Sequence, residues 1–245
     1  MHFYNKTMLL RRSGLLLVLV AIAACSRAST QEPPAPAATA QVAAPAPSEA
    51  APGASSRQKQ KVVVLGDSLS AGLGLAKSDA YPALLERKLR DAGYDWDVIN
   101  AGVSGDTSAA GLARLDWALD EPNVRILVLE LGANDGLRGL PVAEMKKNLA
   151  AIIERAQAEH IAVLLAGMEA PPNFGQDYTV SFRQAYRDLA KQYKVTYLPF
   201  LLDKVAGNAA LNQADGIHPN VEGARIVADH VWTALEPMVK AVPAA

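Results

Sequence analysis

The 245-residue chain is poor in cysteine, with Cys25 as its only one. An intrachain disulfide is therefore impossible, and a cysteine-built zinc site is excluded. An excess of charge of one sign is missing too. The formal net charge is −1, and the body of the chain carries no basic block. The electrostatic footprint of a nucleic-acid binder is thus absent, and no nucleic-acid partner is expected. No apolar run reaches the about 20 residues that a membrane-spanning helix needs. The run "GLLLVLVAIAA" (14–24) has eleven. No internal repeat is visible.

What is present divides the chain into three parts. Lys6, Arg11 and Arg12 precede that short apolar run, the pattern of a secretory signal peptide over residues 1–24. Met8 is an alternative start, because the basic and apolar parts survive without residues 1–7. The run closes on "IAAC", Ile22 to Cys25, which resembles the bacterial lipobox. The resemblance implies a lipidated Cys25, a membrane anchor and a periplasm-facing lipoprotein. Ser26 is not the Asp associated with inner-membrane retention, which favours the outer membrane. Ordinary cleavage after Ala21-Ile22-Ala23, giving a soluble periplasmic or secreted protein, is the alternative. Removal of residues 1–24 takes away three positive charges and no acid, moving the net charge from −1 to −4. Up to residue 60 the chain is rich in Ala, Pro, Ser and Gln. Such a segment cannot bury enough apolar surface to offset its ordering entropy, so 25–60 reads as a disordered tether. The globular domain then covers 61–245.

Within that domain, apolar β-branched runs alternate with helical spacing. Strands are expected at 61–66, 96–100, 124–132, 161–167 and 195–200. Helices are expected at 81–93, 107–120, 142–159, 178–193 and 221–239, the last ended by Pro237. Continuous apolar strands separated by such helices predict an α/β fold: a three-layer, doubly wound domain with a five-stranded, mostly parallel sheet. Ligands of such folds bind beyond the carboxyl ends of the strands. Gly66–Ser68, Asn100–Gly105 and Gly132–Gly136 each follow a strand and share that edge.

The stretch "VVVLGDSLSAGLGL" (62–75) delivers a serine from a buried strand into small residues. It is not a P-loop, since no lysine follows Gly72 or Gly74 in register. It is not a GxGxxG fingerprint, because position 77 is lysine. A strict GxSxG elbow fails as well, with Ser70 in the last position. By itself "GDS" is a strand-to-helix turn whose Asp67 or Ser68 caps an amide. A second loop changes the weighting. "ADGIHPN" (214–220) puts Asp215 and His218 three residues apart. A serine nucleophile needs a base, and the base needs an orienting group. Gly102 and Asn134 follow two other strands, and a glycine N–H and an asparagine amide suit a developing oxyanion. Both also read as ordinary turn residues. His160 and His230 lie at or in helices and receive no role.

"GDSLSAG", "NAGVSGDT", "GANDG" and "DGIHPN" stand in the order of the four blocks of SGNH (GDSL) hydrolases, and the resemblance covers the whole domain. "ANDGLRGLP" (133–141) and "APPNFGQDY" (170–178) resemble the branch of acyl-CoA thioesterase I, lysophospholipase and arylesterase. The resemblance implies a flavodoxin-like SGNH fold and an acyl-enzyme on Ser68. His218 would be the base, Asp215 its orienting partner, and the Ser68 and Gly102 amides with Asn134 the oxyanion hole. It implies neither metal nor cofactor, and an acyl ester or thioester as substrate. Asp67 is left with a turn role. A carbohydrate O-deacetylase and a non-catalytic tethered binding lipoprotein are the rival readings.

Overall fold

A computed structural model describes residues 58–243 of the chain. The signal segment, Cys25 and the tether as far as residue 57 lie outside the described residues.

Five strands form one sheet: β1 (Gln60–Gly66), β2 (Trp96–Gly102), β3 (Val124–Glu130), β4 (Ala162–Ala166) and β5 (Thr196–Leu198). The β-branched run Val62–Val64 has no exposed surface, nor have Ile126–Leu129 of β3. Burial on both faces explains why these strands read as unbroken apolar runs rather than alternating ones. The strand order is β2-β1-β3-β4-β5, and every pairing is parallel. Gly66 pairs with Gly102 on one side and with Glu130 on the other. The chain leaves β1 first toward β2 and then returns to β3 on its other edge. That reversal opens a crevice at the carboxyl ends of β1 and β3.

Helices α2 (Tyr81–Asp91) and α8 (Val221–Ala241) pack together, as do α6 (Val142–Ala158) and α7 (Gln176–Tyr193). Their apolar stripes, such as Leu85 and Leu89 or Leu149, Ile152 and Ile153, are buried against the sheet.

Four details depart from expectation. The helix expected at 107–120 is two, α3 (Ser108–Ala113) and α4 (Leu115–Leu119), broken at Arg114. The Arg114 side chain reaches Asp106 Oδ2 at 2.6 Å and the Gly66 carbonyl at 2.9 Å. Helix α8 runs through Pro237 to Ala241, since buried Leu235 and Val239 hold both sides of it. Two one-turn helices, α1 (Ser68–Ala71) and α5 (Ala133–Leu137), follow β1 and β3 directly. Residues 58–60 are held rather than free: Lys59 pairs with Asp97 at 3.1 Å, and Gln60 Nε2 donates to the Pro243 carbonyl at 2.7 Å.

Candidate active site

Strand β1 stops at Gly66, where no side chain fits. A Cβ there would lie 2.2 Å from Ser70 Oγ and 2.3 Å from Glu130 Oε2. Asp67 then caps α1, its Oδ1 accepting the Leu69 N–H at 3.0 Å. Gly72, at φ 72°, ends the helix after one turn in the left-handed region. Ser68 is the first residue of that turn, so it projects from the end of a buried strand on a mount with little freedom.

Asp215 and His218 come from the loop before α8. Asp215 Oδ1 accepts the backbone N–H groups of Ile217 and His218, both at 3.0 Å. Its Oδ2 lies 2.7 Å from His218 Nδ1. His218 Nε2 lies 2.9 Å from Ser68 Oγ. The carboxylate at Nδ1 sets the tautomer and leaves the Nε2 lone pair facing the serine hydroxyl. The His218 and Ile217 amides, then the imidazole, hold the Asp215 carboxyl down at about 2. Gln213 fastens this loop to the nucleophile turn. Its Nε2 donates to the carbonyls of Leu73 at 2.7 Å and Pro219 at 3.0 Å, and its N–H to the His218 carbonyl at 2.8 Å.

Asn134 stands in α5. Gly132, at φ 112°, starts that turn, and the Tyr186 hydroxyl donates to the preceding Leu131 carbonyl at 2.9 Å. The neighbouring Asp135 is buried and accepts from Ser108 N–H at 2.8 Å and Ser108 Oγ at 2.6 Å. So anchored, Asn134 directs Nδ2 to Asp67 Oδ2 at 3.1 Å and to the Asp106 carbonyl at 3.0 Å.

Gly102 stands apart from this group. Its N–H is taken by Asn100 Oδ1 at 3.0 Å. A Cβ on it would lie 2.4 Å from the Ala71 nitrogen, so it seats α1. It lines a separate depression with Lys77 and Glu86. Gly105, three residues on, directly precedes Asp106, whose carbonyl Asn134 holds. The N–H groups of Gly105 and Ser68 have no acceptor among the described residues.

Ser68, Asn134 and His218 share a groove of about 320 Å³ whose other walls include Leu137, Met168, Pro171, Phe200 and Ile217. That is the size and mixed lining of a small-molecule site, apolar with a few convergent polar groups. Asp67 and Glu130 lie under it, both buried. Burial first, and then the Asp67 charge, push the Glu130 carboxyl well above the usual carboxylate range. Glu130 and Gly105 escaped sequence reading, although a lone acid closing the apolar strand "VRILVLE" was a signal. Among the described residues no cluster of three or more His, Cys, Asp or Glu is placed to hold a metal ion.

A three-layer α/β sheet with a Ser–His–Asp relay at its switch point defines an ester-cleaving serine hydrolase. Residues 64–226 match the GDSL-like Lipase/Acylhydrolase family, and the chain belongs to it. It is 46% identical over 180 residues to Esterase TesA of Pseudomonas aeruginosa strain PAO1, covering 74% of this chain and 90% of that protein. It is 39% identical over 178 residues to Thioesterase 1/protease 1/lysophospholipase L1 of Escherichia coli strain K12, covering 73% of this chain and 84% of that one. The crystal structure of TesA superposes with a TM-score of 0.71 at 46% identity, over 73% of this chain and 99% of that structure.

Proposed function

We propose that this hydrolase cleaves oxyesters and thioesters of medium to long acyl chains through an acyl-enzyme on Ser68. The observation that carries the reading is the continuous relay Asp215–His218–Ser68 opening into an apolar groove. Ser68 Oγ attacks the acyl carbonyl carbon while its proton passes to His218 Nε2. Asp215, ionised throughout, orients and stabilises the imidazolium. The new oxyanion receives the Ser68 and Gly105 N–H groups and the Asn134 amide, which exchanges one of its two internal bonds for the substrate. Each such donor lowers the barrier by about 3–4 kcal/mol. Collapse of the intermediate expels the alcohol or thiol, protonated by His218. Water then enters by the same steps and frees the fatty acid and Ser68.

The apolar lining supports an acyl chain over the acetyl group of a polysaccharide, whose sugar rings call for polar walls. The names of the relatives support esters and thioesters alike. A binding protein on an inactive scaffold has no use for the relay. The test is a panel of esters and thioesters of increasing chain length, run beside fluorophosphonate labelling. The expected result is turnover that rises beyond acetyl substrates, and labelling lost in Ser68→Ala. Turnover confined to acetylated glycans would shift the reading to a deacetylase, and absent labelling would overturn it.

The same reading takes the enzyme to be a lipoprotein anchored at Cys25 and facing the periplasm from the outer membrane. "IAAC" supports it, and two or more acyl chains anchor stably at about 0.8 kcal/mol per buried CH₂. Cys25→Ser should abolish lipid labelling and release the domain to the soluble fraction. An unlabelled parent chain that fractionates as soluble would point instead to ordinary cleavage.

A further inference from the structure

Glu130 closes β3 in register with Gly66, two residues before Ser68. It has no exposed surface. Its Oε2 accepts the Asp67 N–H only at 3.4 Å, and its Oε1 has no partner. The groups facing this carboxyl are the Asp67 carboxyl from the β1–α1 turn, Ser70 from α1, Tyr81 from α2 and, farther off, Tyr186 from α7. None is a cation. The nearest guanidinium, of Arg114, is directed to Asp106 and the Gly66 carbonyl. The His218 imidazole, held by Asp215 and Ser68, lies within electrostatic reach of Asp67 across the site.

Two carboxylates cannot both ionise in such a dry, cation-free pocket. Asp67 already accepts Leu69 N–H on Oδ1 and Asn134 Nδ2 on Oδ2, so it is the better anion. Glu130 accepts only the long Asp67 N–H bond, with the Ser70 hydroxyl beside its Oε2 and nothing on Oε1, so it is the better acid, and its carboxyl adjoins the Asp67 turn. We propose that Glu130 is a positioning residue: as a neutral carboxylic acid it donates a hydrogen bond to the Asp67 carboxylate. It thereby fixes the turn that carries Ser68 and the acceptor that aims Asn134. Glu130 touches no substrate and acts through Asp67 alone. Ionisation of Glu130 places two negative charges under the nucleophile and loosens both Ser68 and Asn134.

The inference rests on Ser68 being the nucleophile, so loss of fluorophosphonate labelling in Ser68→Ala is established first. Failure there removes the proposed function, whatever Glu130 does. Two measurements then address Glu130. In the infrared spectrum of the full chain at neutral pH, an un-ionised carboxylic C=O stretch should be present and vanish in Glu130→Gln. Its absence from the parent protein overturns the proposal. In kinetics, Glu130→Gln keeps a donor to Asp67 and cannot titrate. Its neutral-pH kcat should stay within about threefold of the parent, while the alkaline fall of kcat moves to higher pH. Glu130→Ala removes the donor, and kcat should fall about tenfold or more with KM little changed, the mark of lost alignment. A folded Glu130→Gln with the parental alkaline limb overturns the proposal. If neither variant folds, the infrared band of the parent protein decides.

Discussion

Asn134 holds Asp67: its side-chain amide donates to Oδ2 at 3.1 Å, and its second hydrogen goes to the Asp106 carbonyl. The residue ties three turns together and, in the proposed mechanism, is also a donor to the oxyanion. Asn134→Ala should therefore do two things. It should lower kcat about 10²–10³-fold with KM nearly constant, because the donor serves the transition state. It should also lower stability by about 1–3 kcal/mol, since buried Asp67 loses a partner. Steady-state kinetics beside a melting curve separates the effects. Fluorophosphonate labelling should persist. A loss of stability with unchanged kcat would leave Asn134 a tie only.

Asp215 offers a pH test. Its carboxyl lies at about 2 against an ordinary 3.8, so ionisation favours the folded state. The depressed value means that the stabilisation is complete above pH about 4 and drains away as pH falls toward 2. Asp215→Asn should accordingly melt lower than the parent near neutrality, with the gap narrowing across that acid window. Its kcat should fall about 10³–10⁴-fold, because the amide no longer enforces the imidazole tautomer. A melting gap that stays constant down to pH about 2 would contradict the assigned bonds.

Gln213 reads as an ordinary loop residue until its bonds to Leu73 and Pro219 are seen. Gln213→Ala should loosen the spacing between His218 and Ser68. The expectation is a kcat about tenfold lower with a melting temperature close to the parent's, as for misalignment without core damage. Parental kcat would show that other contacts hold that spacing.

Glycine substitutions separate crowding from backbone strain. Gly66→Ala forces a methyl into Ser70 and Glu130 and should cost about 1–3 kcal/mol, with activity reduced through the displaced turn. Gly93, at φ 82°, has nothing within 4 Å of an added Cβ. Gly93→Ala should cost only the left-handed penalty of about 1–2 kcal/mol and leave kcat unchanged. Chemical denaturation with activity assays compares the pair.

The sheet was legible because its strands are buried on both faces and its helices are long enough to show a stripe. Helices α1 and α5 were not, since a single turn has no period to read. Pro237 read as a stop, and the packing of Leu235 and Val239 overrode it. Ser68, Asp215 and His218 were legible because their chemistry requires those side chains. The choice between Gly102 and Gly105 for the proposed oxyanion donor was not. It depends on which N–H the Asn100 side chain has already taken, a fact of three dimensions. Glu130 was hidden for a like reason: its partner lies 63 positions away, across a strand pairing.

The Asp215–His218 turn is closed by its own amides, so acid and base travel as one cartridge seated in the socket of the sheet. The exposed stretch 206–210 feeds that cartridge, and Ala206 and Gly207 form part of the groove wall. Lengthening a surface stretch costs little, about 0.6 kcal/mol per doubling. Insertions there would reshape the space that measures the acyl chain while the proton relay stayed seated. The substrate range of such an enzyme is free to drift in evolution without its chemistry being rebuilt.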